Sequence, residues 1–284
     1  MPDPRPERTC AISTSAFDVV EKPLSPARKL YDNTAARKML LLALLAVSWE
    51  LYARWLNNPL LFPTFTDTVK ALAASIASGE IPKAAAYSIG MLLKGYAIGL
   101  LMAGLLTAFA SAGRIGADLL ETLTAMFNPL PSIALLPLAL IWFGLGDLSV
   151  IFVLIHAVLW SVALNMHSGF RAISPTLRMV GQNYGLSKPG YLARILLPAA
   201  FPSILTGLKI GWAFAWRTLI AAELVFGVSS GPGGLGWYIF EQKNQLNIPD
   251  VFAGLLTVIL FGLAVENLVF KTIENATVNR WGMQ

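Results

Sequence analysis

The chain has 284 residues, 56% of them hydrophobic and only 13% charged, with a formal net charge of +5. A soluble globular domain carries about 25% charged residues, so few charges together with long apolar runs exclude an ordinary soluble domain and indicate a membrane protein. The single cysteine, Cys10, rules out a disulfide framework, and two histidines, His156 and His167, are too few ligands for a typical zinc site, so no metal is expected.

In chain order, residues 1–37 are polar and rich in proline (Pro2, Pro4, Pro6, Pro23, Pro26). They lack the apolar stretch of a signal peptide, and Cys10, following Arg-Pro-Glu-Arg-Thr, does not resemble a lipid-acylation site. The reading is a disordered cytosolic tail ahead of a membrane domain at 38–284. A membrane-spanning helix needs roughly 20 mostly apolar residues, and six such runs follow, at 39–56, 87–110, 120–143, 148–166, 203–227 and 251–270. The expected fold class is therefore all-α, a polytopic membrane protein with six transmembrane helices. The third run contains Pro129, Pro131 and Pro137 and cannot be a uniform helix, because each proline removes a backbone donor and clashes with the preceding turn. It is either a kinked, tilted helix or a re-entrant segment that shapes a pathway, since broken backbone at membrane depth must be buried or line a cavity.

Charge orients these runs. With a cytosolic N-terminus, fourteen basic residues fall on inside segments, whereas only Lys70, Lys83 and Lys243 fall outside. This is the positive-inside asymmetry. It places both termini and the 167–202 loop in the cytosol, and it accounts for the net charge without a nucleic-acid partner.

Ionisable residues within spans are expensive and are usually paired or functional. Glu50 in the first run and Lys94 in the second lie at matching depths, about 10 Å below the outer boundary at 1.5 Å per residue, so a Glu50–Lys94 pair is expected. Lys209 and Glu266 match near the inner side, although Lys209 could instead snorkel to the headgroups. Lys209, Trp216 and Glu223 recur every seven residues and share a stripe, and Gly207 and Gly211 form a small-residue patch for close packing. His156 reads as a buried, hydrogen-bonded residue or a proton relay. Asn128 reads as a pathway residue or as a partner for a freed backbone group.

The segment from Gly231 to Gly236 matches Gly-x-Gly-x-x-Gly, but that pattern marks a dinucleotide site only between a strand and a helix. Here it falls in an outside loop and reads as a tight turn before a short helix at 237–243, with Trp237 and Tyr238 available for docking or the membrane interface. No cofactor is expected. The chain contains no Gly-Lys dipeptide, so it has no phosphate-binding loop for ATP.

The 167–202 loop is polar, amphipathic and too long for a simple turn. Within it, Gly185 is followed after nine residues by Ile195, one residue, then Leu197-Pro198. This spacing resembles the second half of the coupling-loop signature of ABC importer permeases. The Glu-Ala-Ala start of that signature is replaced here by Met179, Val180 and Gly181. Further similarity lies in Leu197-Pro198-Ala199-Ala200-Phe201-Pro202, Leu205-Thr206-Gly207-Leu208-Lys209, Ala221-Ala222-Glu223-Leu224, Gly234-Leu235-Gly236, Pro137-Leu138 and Trp142-Phe143-Gly144. Over about residues 80–282 the chain resembles the nitrate/sulfonate/taurine branch of these permeases.

The resemblance implies ATP-driven import by alternating access, with no catalytic residue in this chain. It implies a separate ATP-binding cassette subunit, an extracytoplasmic solute-binding protein, a second permease chain, and a small anion as cargo. Contact with the ATPase would fall on Met179, Val180, Gly181, Gly185, Leu186, Ser187, Lys188, Ile195, Leu197 and Pro198. Asn128, Trp216, Arg217 and Glu223 are the candidate pathway residues. Arg217, near mid-membrane and off the Lys209 stripe, suits an anion contact, an interhelix salt bridge or a carbonyl clamp. The alternative function is an ion-gradient-driven secondary transporter, which would show inverted repeats and broken helices in both halves.

Overall fold

The computed structural model describes residues 32–226 and 233–282. Residues 1–31 of the expected tail lie outside this range, and residues 34–37 already belong to the first helix. The chain divides into two compact units between Trp49 and Glu50. No strand occurs among the described residues. Five helical stretches are long and apolar enough to cross a membrane, and a sixth crossing is made if one sharply bent pair counts as a single span.

Helix α1 (Thr34–Leu56) runs through the division between the two units. Helix α2 (Phe65–Ala77) is amphipathic, too short to span, and absent from the six apolar runs. Its start is nevertheless written locally. Thr64 accepts from the Asp67 backbone N–H at 3.0 Å while its hydroxyl meets Asp67 Oδ2 at 2.8 Å, a reciprocal cap of the Ser/Thr-x-x-acid type. Helix α3 (Glu80–Ala112) begins seven residues before the apolar run at 87, because Gly79 turns the chain at φ +83° and Glu80 places a carboxylate at the positive helix end.

The third run resolves into α4 (Arg114–Phe127), a turn of 3-10 helix (Ser132–Leu135) and α5 (Leu136–Phe143), bent by 87°. The run is broken sharply at its prolines, as their chemistry requires. Pro129 and Pro131 stand at the bend, and the freed backbone is satisfied by tight turns, Leu130 N to Phe127 O at 3.1 Å and Ala134 N to Pro131 O at 2.9 Å. Pro137 breaks nothing. It sits in the first turn of α5, where its missing donor is not needed.

Helix α6 (Asp147–Arg171) is the centre of the second unit: Val153, Leu154, Val158 and Val162 along it are fully buried. It packs against α3 on one side and α9 (Leu197–Phe226) on the other. Both contacts are made through glycine. A Cβ added at Gly95 or Gly99 of α3 would lie 2.5 Å from Leu154 Cβ or 2.8 Å from Val158 Cβ. One added at Gly207 or Gly211 of α9 would lie 2.7 Å from Asn165 Cβ or 2.9 Å from Val162 Cγ2. The expected small-residue patch on the fifth span therefore meets the fourth. Tyr96 joins α3 to α9 directly by donating to Leu208 O at 2.9 Å.

Between α6 and α9 lie α7 (Pro175–Asn183), the single turn α8 (Lys188–Tyr191) and a wide π-type turn (Leu192–Leu196) that runs into α9. After α9 come α10 (Leu235–Asn244), close to the short helix expected at 237–243, and α11 (Ile248–Ala264). Helix α11 continues through a π-type turn (Val265–Phe270) and further turns to Asn279, well past the expected end at 270.

Gly99→Ala is expected to destabilise the protein by about 1–3 kcal/mol through overpacking against Val158. Gly104→Ala on the same helix, where an added Cβ meets nothing within 4 Å, should be neutral or stabilising by up to about 1 kcal/mol. Thermal unfolding of the two variants in detergent measures the difference.

Candidate functional site

The segment between α6 and α9 folds into a helical hairpin. Helix α7 ends in a tight turn, with Tyr184 N donating to Val180 O at 3.1 Å and Leu186 N to Gly181 O at 3.4 Å. Gly185 makes the reversal at φ +60°, a conformation that strains any residue with a Cβ. The returning arm closes on the first at Gly181, which is buried against the Tyr191 ring and Ile195; a Cβ there would lie 3.0 Å from Ile195 Cδ1. The hairpin thus replaces the Glu-Ala-Ala start with a packed glycine. Its outer surface carries exposed apolar side chains, Leu177, Met179, Val180 and Tyr184, the last exposed by 79%. Ser187 and Leu197 are also exposed, while Leu186, Ile195 and Pro198 are partly covered, and Lys188 opens the single turn α8.

Glu223 belongs to a different structure from the expected pathway. It is 6% exposed, and its carboxylate accepts from Ser88 Oγ at 2.7 and 2.8 Å and from Gly236 N at 2.9 Å. Ser88 Oγ in turn accepts from Leu235 N at 2.9 Å. Leu235 and Gly236 open α10, so their N–H groups have no partner within that helix. Glu223 and Ser88 together cap α10 and fasten it to α9 and α3. Trp216 is also buried, packed on Phe261 at a ring distance of 4.8 Å. Tyr238, expected as a docking residue, is buried as well, with its hydroxyl 2.9 Å from Ser75 Oγ and 3.3 Å from Asp250 Oδ1. Burial pushes its phenol up to about 12, with the Asp250 charge adding to the rise against a lowering from the Ser75 bond.

The charge pairs differ from those expected by depth. Glu50 binds Arg54, one turn along its own helix, at 2.7 Å, and accepts from Thr66 N at 3.0 Å at the start of α2. An i,i+4 partner and a free helix-terminal N–H are closer than any residue on another span. Lys94 makes no ion pair among the described residues. Lys209 does meet Glu266, at 3.9 Å, but its shorter contact is Glu274 at 2.6 Å. Glu274 was not considered because the last helix was expected to end before it.

Asn128 and Arg217, from the remaining pathway set, come together. Both line a cavity of about 390 Å³ formed by the α4–α5 bend, the His156–Trp160 turn of α6 and the middle of α9. Neither Trp216 nor Glu223 lines it. His156 and Trp160 do, and Phe127 stacks on Trp160 at 5.1 Å. Ser132 Oγ lies 3.1 Å from His156 Nδ1, which gives the expected hydrogen bond of this histidine. Ser132 and Trp160 were not among the expected site residues; the proline break was the signal for the first, and its spacing one turn from His156 the signal for the second. Among the described residues no cluster of His, Cys, Asp and Glu could hold a metal ion.

Membrane-length helices, a cavity at a broken span and a compact hairpin between two spans define a multi-pass membrane protein. The chain belongs to the family of binding-protein-dependent transport system inner membrane components, whose model matches residues 95–277. A Methanocaldococcus jannaschii protein named as an ABC transporter permease is 30% identical over 242 residues, covering 84% of this chain and 90% of that one. The taurine transport system permease of Escherichia coli is 32% identical over 148 residues, 52% of each chain. The nitrate import permease of Synechocystis is 26% identical over 261 residues, covering 86% and 90%. The residues that carried the family resemblance therefore belong to a true member, and the named relatives are transport permeases.

Glu223→Ala should lower stability by about 1–3 kcal/mol, because it leaves the Ser88 hydroxyl hydrogen and the Gly236 N–H unsatisfied in a buried site. Limited proteolysis after the substitution should cut first between α9 and α10.

Proposed function

We propose that this permease is the membrane half of an ATP-driven importer for a small anionic solute, moved into the cytoplasm by alternating access. Its ATPase is a separate subunit, its solute arrives on an extracytoplasmic binding protein, and two permease chains enclose one pathway. The single observation that carries this reading is the hairpin at 175–197. Its arms are locked at Gly181 against Tyr191 and Ile195, it turns at Gly185, and it leads directly into α9. A rigid knob continuous with a spanning helix transmits a displacement as a body, as packed elements move between discrete arrangements. The exposed Leu177, Met179, Val180 and Tyr184 supply an apolar face for the ATPase, in place of a carboxylate contact from a Glu-Ala-Ala start. The family match and the names of the anion permeases support the cargo class.

Gly181→Leu should separate the hairpin arms and reduce ATP-dependent uptake by roughly 5- to 150-fold, the range of ordinary coupling free energies, while thermal unfolding of the membrane bundle stays near wild type. Uptake in proteoliposomes with the ATPase and binding protein measures this; full uptake by this variant would argue against the hairpin as the motor contact. For topology, the one cysteine, Cys10, should react with a membrane-impermeant maleimide in inverted vesicles and stay unlabelled in intact cells. Labelling of intact cells would reverse the proposed orientation.

A further inference from the structure

Arg217 is a cation within the membrane-spanning helix α9. Its Nε donates to Ala213 O at 3.0 Å, and its guanidinium carbon lies 5.2 Å from the Phe214 ring centre. Among the described residues it joins no ion pair. Acids on the spanning helices are engaged elsewhere, Glu50 with Arg54, Glu223 with Ser88 and Gly236, and Glu266 with Lys209. An intramembrane charge left in this state marks a ligand or ion path.

The cavity that Arg217 lines supplies complementary chemistry. Its volume of about 390 Å³ falls within the range of small-molecule sites, and no acidic residue lines it. Two nitrogens of its wall residues, His156 Nε2 and Trp160 Nε1, are buried without any hydrogen-bond partner. The indole N–H can only donate. His156 Nδ1 shares a hydrogen bond with Ser132 Oγ in a direction set by the ring's tautomer, and in the tautomer with the ring hydrogen on Nε2 that nitrogen is a donor too. An unsatisfied buried donor is costly, and such N–H groups beside a guanidinium that joins no ion pair favour an anion. The rest of the wall is largely apolar, including Leu130, Ile133 and Phe214.

We infer that this cavity is an oxyanion subsite of the transport pathway: Arg217, His156 and Trp160 receive the oxygens of a small organic oxyanion, and Leu130, Ile133 and Phe214 cover its short carbon remainder. The transport role rests on the importer reading; the anion binding does not. Guanidinium and N–H donors suit sulfonate or carboxylate oxygens, and a cavity several times the ~30 Å³ share of one water favours an organic anion over an inorganic one.

The test is fluorine NMR of trifluoropropanesulfonate with the purified full-length permease in nanodiscs, using trifluoropropanol as the uncharged control. Saturable broadening is expected for the sulfonate and not for the alcohol. Arg217→Met should weaken it at least about tenfold, as loss of a charge-assisted contact does. Trp160→Phe keeps the stack on Phe127 and removes the N–H, and should weaken it several-fold. Lys94→Met, a cation outside the cavity, should leave it unchanged. Undiminished binding in Arg217→Met, an equal loss in Lys94→Met, or equal binding of the alcohol would each overturn the subsite. Co-purification of an ATPase separates the two levels of the proposal. A complex with ATPase that binds no sulfonate removes the subsite and leaves the importer, whereas sulfonate binding by a permease that recruits no ATPase removes the importer and the transport role with it.

Discussion

Helices in a bilayer gain nothing from leaving lipid for one another on hydrophobic grounds alone, because lipid tails are as apolar as the side chains they would replace. Association depends on close contact, and in this protein that contact is concentrated on α6. Gly95 and Gly99 bring α3 onto Leu154 and Val158, and Gly207 and Gly211 bring α9 onto Val162 and Asn165. The side chains of α6 pass between two glycine faces, and Val153, Leu154, Val158 and Val162 are sealed by them. Everything that functions in the second unit is attached to this three-helix core. The hairpin joins the ends of α6 and α9, the cavity opens where the α4–α5 bend meets the same two helices, and α10 is capped from α3 and α9.

With the core held by small residues, polar side chains are left for specific tasks. Ser88 and Glu223 satisfy helix-terminal N–H groups that would otherwise be stranded in a buried site, and Ser75, Tyr238 and Asp250 form a second polar tie at the start of α11. Lys209 holds the extended end of the last span through Glu274 and Glu266. These contacts are complete and local. The cavity at the bend differs in charge, because Arg217 donates from Nε to Ala213 O but joins no ion pair among the described residues, and His156 Nε2 and Trp160 Nε1 beside it have no hydrogen-bond partner. Unpartnered ring nitrogens also occur away from it, at Trp212 and Trp216, so it is the cation that sets this cavity apart.

The fold was largely legible because its determinants are local. Apolar length located the spans, and the hairpin was readable from Gly185 and the Ile195-x-Leu197-Pro198 spacing. Helix α2 was passed over although Thr64 and Asp67 announce its cap, because a span search ignores a helix of 13 residues. The site was read less well. Asn128 and Arg217 were separate candidates that nothing in the sequence joined, and the structure sets them on one cavity, whereas Trp216 and Glu223, which a seven-residue recurrence places on a shared face, lie off it. A recurrence shows that residues share a face and leaves open which neighbour the face meets. The Glu50–Lys94 pairing failed for a related reason. Depth is one coordinate of three, and a partner one turn away on the same helix needs no agreement of helix rotation.

By itself the sequence determined where the apolar spans lie, the break in the third of them, the polar loop after the fourth and the family, since these follow from run length, proline chemistry and motif spacing. Only the tertiary structure decided which polar groups meet. Glu223 and Ser88 are 135 residues apart in the chain, and Arg217 reaches a void walled by residues of three separate segments. Such encounters depend on how each helix is rotated and which helices are neighbours, and those follow from the glycine contacts along α6 as a set and not from any one segment.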